Sequence, residues 1–243
     1  MKRTGPKLLL LQHIACEPPG AYEDELLGRG GELHRVMVDQ GEPIPEPRRF
    51  DGVIAMGGPM GAYEDERLPW LRHEKQLIAG AVAEGVPFWG VCLGAQLLAA
   101  SLGAVVGPGP EPEVGVLPVY RTRDGEEDPV FSALPEQFVA LQWHSDTFAL
   151  PSGAALLARS DAYENQAFKV GRAYGLQFHI EVGRTLANDW GQVPAYAQSL
   201  DGIMGDEALP RLLAQIDAHE GDMTGLARTL FAGWLEHAVG EKV

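Results

Sequence analysis

Between Lys7 and Gly103, short apolar runs alternate with segments of helical period, and this alternation constrains the fold more than any other feature of the chain. The first run extends from Lys7 to Ala15, the second is LHRVMV at 33–38, the third lies in FDGVIAMGGPMG at 50–61, and the fourth is VPFWGV at 86–91. A polar stretch, EPPGAYEDELLGRGGE, separates the first two. In DERLPWLRHEKQLIAGAVAEG, Leu68, Leu71, Leu77, Ile78 and Val82 recur at helical spacing and Gly85 stops the helix. LGAQLLAASLG is a second helix, closed by Gly103. Strand, helix, strand, helix with short links predicts an α/β fold: an open, mostly parallel sheet flanked by helices.

After Val106 the texture changes. GPGPEPE reads as a proline and glycine loop, and strand-like runs follow without long helices between them: VGVLPVYRT, QFVALQWH, AALLARS, QAFKVG and RAYGLQFHI. These predict an antiparallel or mixed extension of the sheet. From Gly183 onward the pattern is helical, with Leu226, Leu230, Phe231, Trp234 and Leu235 on one apolar face. The expected organisation is a domain over residues 1–190 and a helical extension, 191–243, packed on that same domain. A length of 243 residues is enough for a full core without staples.

Charge and cysteine content narrow the partners. Nineteen basic against 34 acidic residues give a formal charge of −15, which repels nucleic acid and anionic membrane, so a small molecule or a protein is expected instead. The opening MKRTGPKLLLLQHIAC imitates a secretory leader. Its leucine run is broken by Gln12 and His13 well short of the roughly 7 to 15 apolar residues a leader needs, and it reads as a first buried strand. Two cysteines, Cys16 and Cys92, with no CxxC pair, make neither a disulfide framework nor a metal site, and a reducing cytoplasm is expected.

Cys92 stands where a strand meets a helix, in Gly90-Val91-Cys92-Leu93-Gly94. Glycines on both sides suit a nucleophile elbow, a sharp turn that holds a reactive atom above a sheet and tolerates little bulk. The helix N-terminus would favour a thiolate, and the N–H of Leu93 could stabilise an oxyanion. A small buried cysteine in a helix–sheet contact is the alternative. In YGLQFHIEV, His179 and Glu181 lie two apart on an extended run, so both side chains leave one face, as a base and the carboxylate that orients it must. His144, in LQWHSDTF, is a competing base without such a partner; the remaining histidines are expected at the surface. Gly57, Gly58 and Pro59 end the third strand, where a backbone N–H could approach a substrate carbonyl.

These three segments together resemble the class I glutamine amidotransferase family, with its triad of cysteine, histidine and glutamate. GVCLGAQLLA is similar to the family's elbow, GGPMGAYEDE to its oxyanion strand and GLQFHIE to its His-x-Glu segment, over roughly residues 7 to 185. The nearest branch is that of stand-alone proteins similar to the amidotransferase part of GMP synthase, including the plant γ-glutamyl peptidases. The resemblance implies a flavodoxin-like fold, with Cys92 as nucleophile, His179 as base and then acid, and Glu181 as orienter. It further implies oxyanion donors at Gly58 and Leu93, and Gln96 with the His144-Ser145 turn around the amino acid end of glutamine. The implied reaction releases ammonia through a γ-glutamyl thioester, with no metal or organic cofactor, for a separate synthetase subunit. Alternatives are a self-contained hydrolase of γ-glutamyl conjugates, and a non-enzymatic module or a different α/β thiol protein such as a redox sensor. Two departures stand out: Ile180 where the family commonly has proline, and Ser145 where the GMP synthase pattern His-Gly-Asp has glycine.

Overall fold

The computed structural model describes residues 5–240. The basic start, Met1 to Thr4, and the last three residues of the expected helical extension lie outside them. A nine-stranded sheet runs through the described residues in the order β2-β1-β3-β4-β9-β8-β7-β5-β6. Its strands are β1 (Lys7–Gln12), β2 (Glu32–Met37), β3 (Gly52–Ala55), β4 (Phe88–Val91), β5 (Val106–Arg121), β6 (Gln137–Phe148), β7 (Ala155–Arg159), β8 (Ala167–Val170) and β9 (Ala173–Leu176). From β2 to β9 neighbouring strands pair parallel; from β9 to β6 they pair antiparallel. The α/β reading with an antiparallel extension holds.

Helices are α1 (Ala21–Gly28), α2 (Trp70–Ala83), α3 (Leu93–Ser101), α4 (Arg123–Glu127), α5 (Arg184–Trp190), α6 (Pro194–Met204) and α7 (Ala208–Trp234). The period-2 geometry of β1 divides its leucines between two cores. Leu8 and Leu10 join Trp89, Tyr22, Phe231 and Trp234 on one face, while Leu9 and Leu11 join Leu71, Ile78, Leu97 and Leu98 on the other. Burial on both faces is why β1 reads as a continuous apolar run and not as an alternation. The apolar face of α7 is spent within the fold: Trp234 and Phe231 lie 5.6 and 5.7 Å, ring to ring, from Trp89.

Four expectations need correction. The first strand ends at Gln12, because His13 turns away to bond the loop after β3. The polar link after it contains α1, which buries only Ala21, Tyr22 and Leu26 and so carries little helical periodicity. GPGPEPE is not a free loop: it lies in β5, paired with β6 on either side of an irregularity between Pro108 and Glu113 that accommodates prolines unable to donate to a ladder. RAYGLQFHI belongs in part to the parallel sheet, since β9 pairs parallel with β4 and antiparallel with β8, the hinge between the two halves.

The elbow is built by close backbone approach. An added Cβ on Gly94 would lie 2.0 Å from the Ala55 carbonyl oxygen, and one on Gly90 would lie 2.6 Å from that of Gly94. The glycines let α3 start directly on the end of β3. Gly94→Ala is expected to destabilise the fold by about 1–3 kcal/mol, because the obstructing atom is main chain and cannot rotate away; the midpoint of urea unfolding measures it.

Candidate active site

The carboxyl ends of β1, β3, β4 and β9 converge on one side of the parallel half, and each delivers part of a single site. The chain steps from β1 outward to β2 and then back across to β3, the switch in strand order beside which open α/β sheets bind ligands.

Cys92 sits between β4 and α3 with φ 51°, ψ −107°, a backbone that a non-glycine residue adopts only under constraint. Three contacts impose it. The Cys92 N–H donates to the Leu176 carbonyl at 2.7 Å, the Cys92 carbonyl accepts from Ala95 and Gln96, and the Gly94 N–H donates to the Met56 carbonyl at 3.1 Å. The residue is 8% exposed, more enclosed than the exposed thiol that the elbow suggests, yet its side chain still forms part of the wall of a cavity.

His179 and Glu181 leave the same face as their spacing predicts. His179 Nδ1 is 2.7 Å from Glu181 Oε1, and both residues are buried. Burial acts to lower the His179 pKa; the Glu181 carboxylate and the neighbouring Cys92 thiol outweigh it and hold the imidazole well above its ordinary value of 6.5. The backbone of His179 is bonded both ways to Leu141 at 2.9 Å, and the Trp190 and His179 rings meet in a T-shaped contact with centroids 4.7 Å apart. Ile180 has a specific consequence: its N–H donates to Glu181 Oε2 at 3.0 Å, a bond that proline could not make. The first amide of α1, Ala21 N–H, meanwhile donates to the Glu181 carbonyl.

Gly57 and Gly58 have no room for side chains. A Cβ on Gly57 would lie 2.2 Å from Glu17 Oε2, and one on Gly58 would lie 3.1 Å from both His13 and Leu93 side-chain atoms. Among the described residues neither the Gly58 N–H nor the Leu93 N–H donates to a protein acceptor, so both remain available. Gln96 donates to Gln177 at 3.1 Å, and Gln177 Nε2 in turn reaches the Cys92 sulfur at 3.5 Å.

His144 lines the cavity but is otherwise engaged. Its Nδ1 is 3.0 Å from the Asp146 carbonyl, and its Nε2 is 3.1 Å from Gln142 Oε1 and 3.3 Å from Glu113 Oε2. It does have a carboxylate partner, contrary to its sequence neighbourhood, because the β5–β6 register places Glu113 opposite it. Ser145 stands exposed at the cavity mouth. The cavity measures about 300 Å³, the small end of the range of roughly 300–1,000 Å³ for small-molecule sites.

Several site groups escape sequence reading. Glu17 is 1% exposed and accepts a hydrogen bond from the Tyr196 hydroxyl, and burial pushes its carboxyl up from 4.5 against the pull of His179 and Tyr196. Its signal is only its place just past the end of β1. Tyr196 comes from α6, 5.6 Å from Trp143 ring to ring, and gives no sequence signal of its own. His13, expected at the surface, is wholly buried against Glu74. Among the described residues no cluster of His, Cys, Asp and Glu could hold a metal ion, and no helix is long and apolar enough to cross a membrane.

The arrangement offers a thiol at the wall of one small cavity, an imidazole with a carboxylate behind it, and two free amides on the turns at Gly58 and Leu93, the parts acyl transfer requires. The family description "Glutamine amidotransferase class-I" matches residues 23–189. A glutamine amidotransferase-like protein of Salmonella typhimurium, YfeJ, is 33% identical over 174 residues, covering 70% of this chain and 73% of its own. A glutamine-hydrolysing GMP synthase subunit of Ignicoccus hospitalis is 32% identical over 151 residues, covering 59% of this chain and 73% of that one. The match to the GMP synthase of Thermomicrobium roseum, 38% identical over 135 residues and 55% of this chain, spans only 24% of that longer protein. Among solved structures, a glutamine amidotransferase from Thermotoga maritima superposes with a TM-score of 0.86 at 36% identity, over 95% of this chain and 98% of the other. The chain belongs to the class I glutamine amidotransferase family.

Proposed function

We propose that the protein hydrolyses the side-chain amide of glutamine and releases ammonia, through a γ-glutamyl thioester on Cys92. The observation that carries this reading is the buried His179–Glu181 pair, 2.7 Å apart, beside Cys92, which forms part of the wall of one small cavity. The thiolate attacks the amide carbon, and the developing oxyanion takes hydrogen bonds from the Gly58 and Leu93 N–H groups. The C–N bond breaks as the His179 imidazolium gives its proton to the leaving nitrogen. Water, deprotonated by His179, then attacks the thioester; the C–S bond breaks, glutamate leaves and the thiol is restored. Glu181 accepts from Nδ1 throughout, which fixes the tautomer and stabilises the imidazolium.

Gln96, His144 and Ser145 surround the amino acid end of the substrate in this reading, and His144, with both ring nitrogens occupied, serves binding and not proton transfer. The ammonia passes to a separate synthetase subunit, a step supported by similarity to a chain named as one subunit of a glutamine-hydrolysing GMP synthase. A reducing cytoplasm suits a reaction that needs Cys92 as a free thiol. The second reading, a self-contained hydrolase of γ-glutamyl conjugates, is prompted by Ser145 at the cavity wall, a departure from the His-Gly-Asp pattern of GMP synthases.

Ammonia release by the purified chain decides between them. Glutamine turnover that rises when a synthetase partner is added is expected. Turnover of γ-glutamyl peptides without turnover of glutamine would replace the first reading with the second.

A further inference from the structure

His13 and Glu74 form a wholly buried pair that the reaction above does not use. His13 directly follows β1. Glu74 lies four residues after Trp70 on the same face of α2, and the Trp70 ring stacks on the imidazole with centroids 5.8 Å apart. His13 Nε2 is 2.9 Å from Glu74 Oε1, while Nδ1 is 2.9 Å from the Met56 carbonyl and 3.2 Å from the Gly57 carbonyl. A carbonyl oxygen only accepts, so Nδ1 carries a proton and donates, wherever the second proton sits between Nε2 and the carboxylate. Glu74 Oε2 has no partner among the described residues, so compensation for the buried carboxylate falls on His13.

We infer that the His13–Glu74 pair is a positioning device for the oxyanion turn: it holds the Met56 and Gly57 carbonyls from behind and so turns the Gly58 N–H toward the thiol cavity. The C=O and N–H of a trans peptide point in opposite directions, and no peptide bond among the described residues is cis. With the Gly57 carbonyl drawn to His13, the Gly58 N–H of the same plane faces away from His13. Gly58 itself walls the cavity that Cys92 lines. Two consecutive glycines set little intrinsic barrier against reversing that plane. A reversed plane would aim a carbonyl dipole at the developing oxyanion and abolish its stabilisation. The Met56 carbonyl also accepts from the Gly94 N–H, so the same anchor ties the turn to the elbow. Burial alone would lower the His13 pKa, yet Glu74 and the Gly57 carbonyl hold it above 6.5, in keeping with a donor at both ring nitrogens. This inference rests on the reading of Gly58 as an oxyanion donor.

The test compares two reactions of the full chain. Glutamine hydrolysis needs the oxyanion donors; alkylation of Cys92 by iodoacetamide is a displacement that forms no oxyanion and reads the thiolate alone. Cys16, whose pKa burial and Glu17 push up to about 11, alkylates slowly and leaves the Cys92 rate readable. The double variant His13→Leu/Glu74→Leu removes the donor without stranding a buried charge. Its kcat is expected to fall about 10²–10³-fold with an unchanged alkylation rate. His13→Asn, whose amide can replace Nδ1–H, made in the Glu74→Leu background so that no carboxylate is stranded, is expected to recover most of that loss. An unchanged kcat, or equal losses in both reactions, would overturn the inference. Nitrogen-15 NMR of the unsubstituted protein decides it independently of folding in the variants: a protonated Nδ1 on His13 is expected, and a bare Nδ1 overturns it. An unsubstituted protein that alkylates at Cys92 but hydrolyses no γ-glutamyl amide would count against the proposed function instead, while the NMR result still judges His13.

Discussion

Cys92→Ala is expected to lower kcat for glutamine hydrolysis by roughly 10⁴–10⁶-fold while leaving the protein folded and the substrate bound. The first half follows from chemistry. Members of a nucleophile–base–orienter set act as a unit, and removing the nucleophile forfeits the covalent route along with everything that activates it. The second half follows from packing. Cys92 is held by its main chain, through Leu176, Ala95, Gln96 and the tie from Gly94 to Met56, while its side chain adds a weak bond from Gln177 and lies beside the His179 imidazole. Alanine keeps every one of the main-chain bonds. Isothermal titration of glutamine into the variant should therefore show binding without turnover. Loss of both would mean that the sulfur also organises the cavity.

Glu181→Gln is expected to cost about 10²–10⁴-fold in kcat and to bring the His179 pKa down. The glutamine side chain fits the same space and its one oxygen can still accept from Nδ1, so the charge goes while only the bond from the Ile180 N–H is lost with it. Burial, which acts to lower the His179 pKa, is then opposed mainly by the thiol, and the imidazolium is no longer favoured. NMR titration of the imidazole in each protein measures the shift. Stability moves with it. A folded-state pKa raised above 6.5 means that the native protein binds this proton more tightly than the unfolded chain. The resulting stabilisation is fully present below about pH 6.5 and is lost as pH rises through the folded value. In Glu181→Gln that contribution should shrink, so its urea midpoint should fall most relative to the parent on the acid side of neutrality. A His179 pKa that stays high in the variant would contradict the role given to the carboxylate.

Legibility of the fold followed the strength of its local signals. The parallel half reads directly, because β1, β3 and β4 are apolar runs buried on both faces and α2 and α3 end at Gly85 and Gly103, each in a left-handed conformation. α1 was hidden, since it buries just one turn of its surface and begins after two prolines with no side-chain cap. β5 was hidden in its first half by prolines that ordinarily mark loops, and only its pairing with β6 makes a strand of them.

The site divides along a similar line. Cys92, His179 and Glu181 are local signals, a turn motif and a two-residue spacing, and the folded chain brings them together at 2.7 Å between histidine and carboxylate. Glu17, Tyr196 and the His13–Glu74 pair owe their places to contacts across 179 and 61 positions of sequence, which no pattern along the chain encodes. The acid beside His144 is likewise supplied across a ladder and not along a strand.

In the proposed reaction the glutamyl group is carried as an acyl group on Cys92. Rapid acid quench of the protein turning over glutamine, followed by mass spectrometry of its peptides, tests this directly. The expected product is a peptide containing Cys92 that is heavier by one glutamate less one water, labile to hydroxylamine and absent from Cys92→Ala. Turnover at full rate with no such adduct, or an adduct on Cys16 instead, would contradict it.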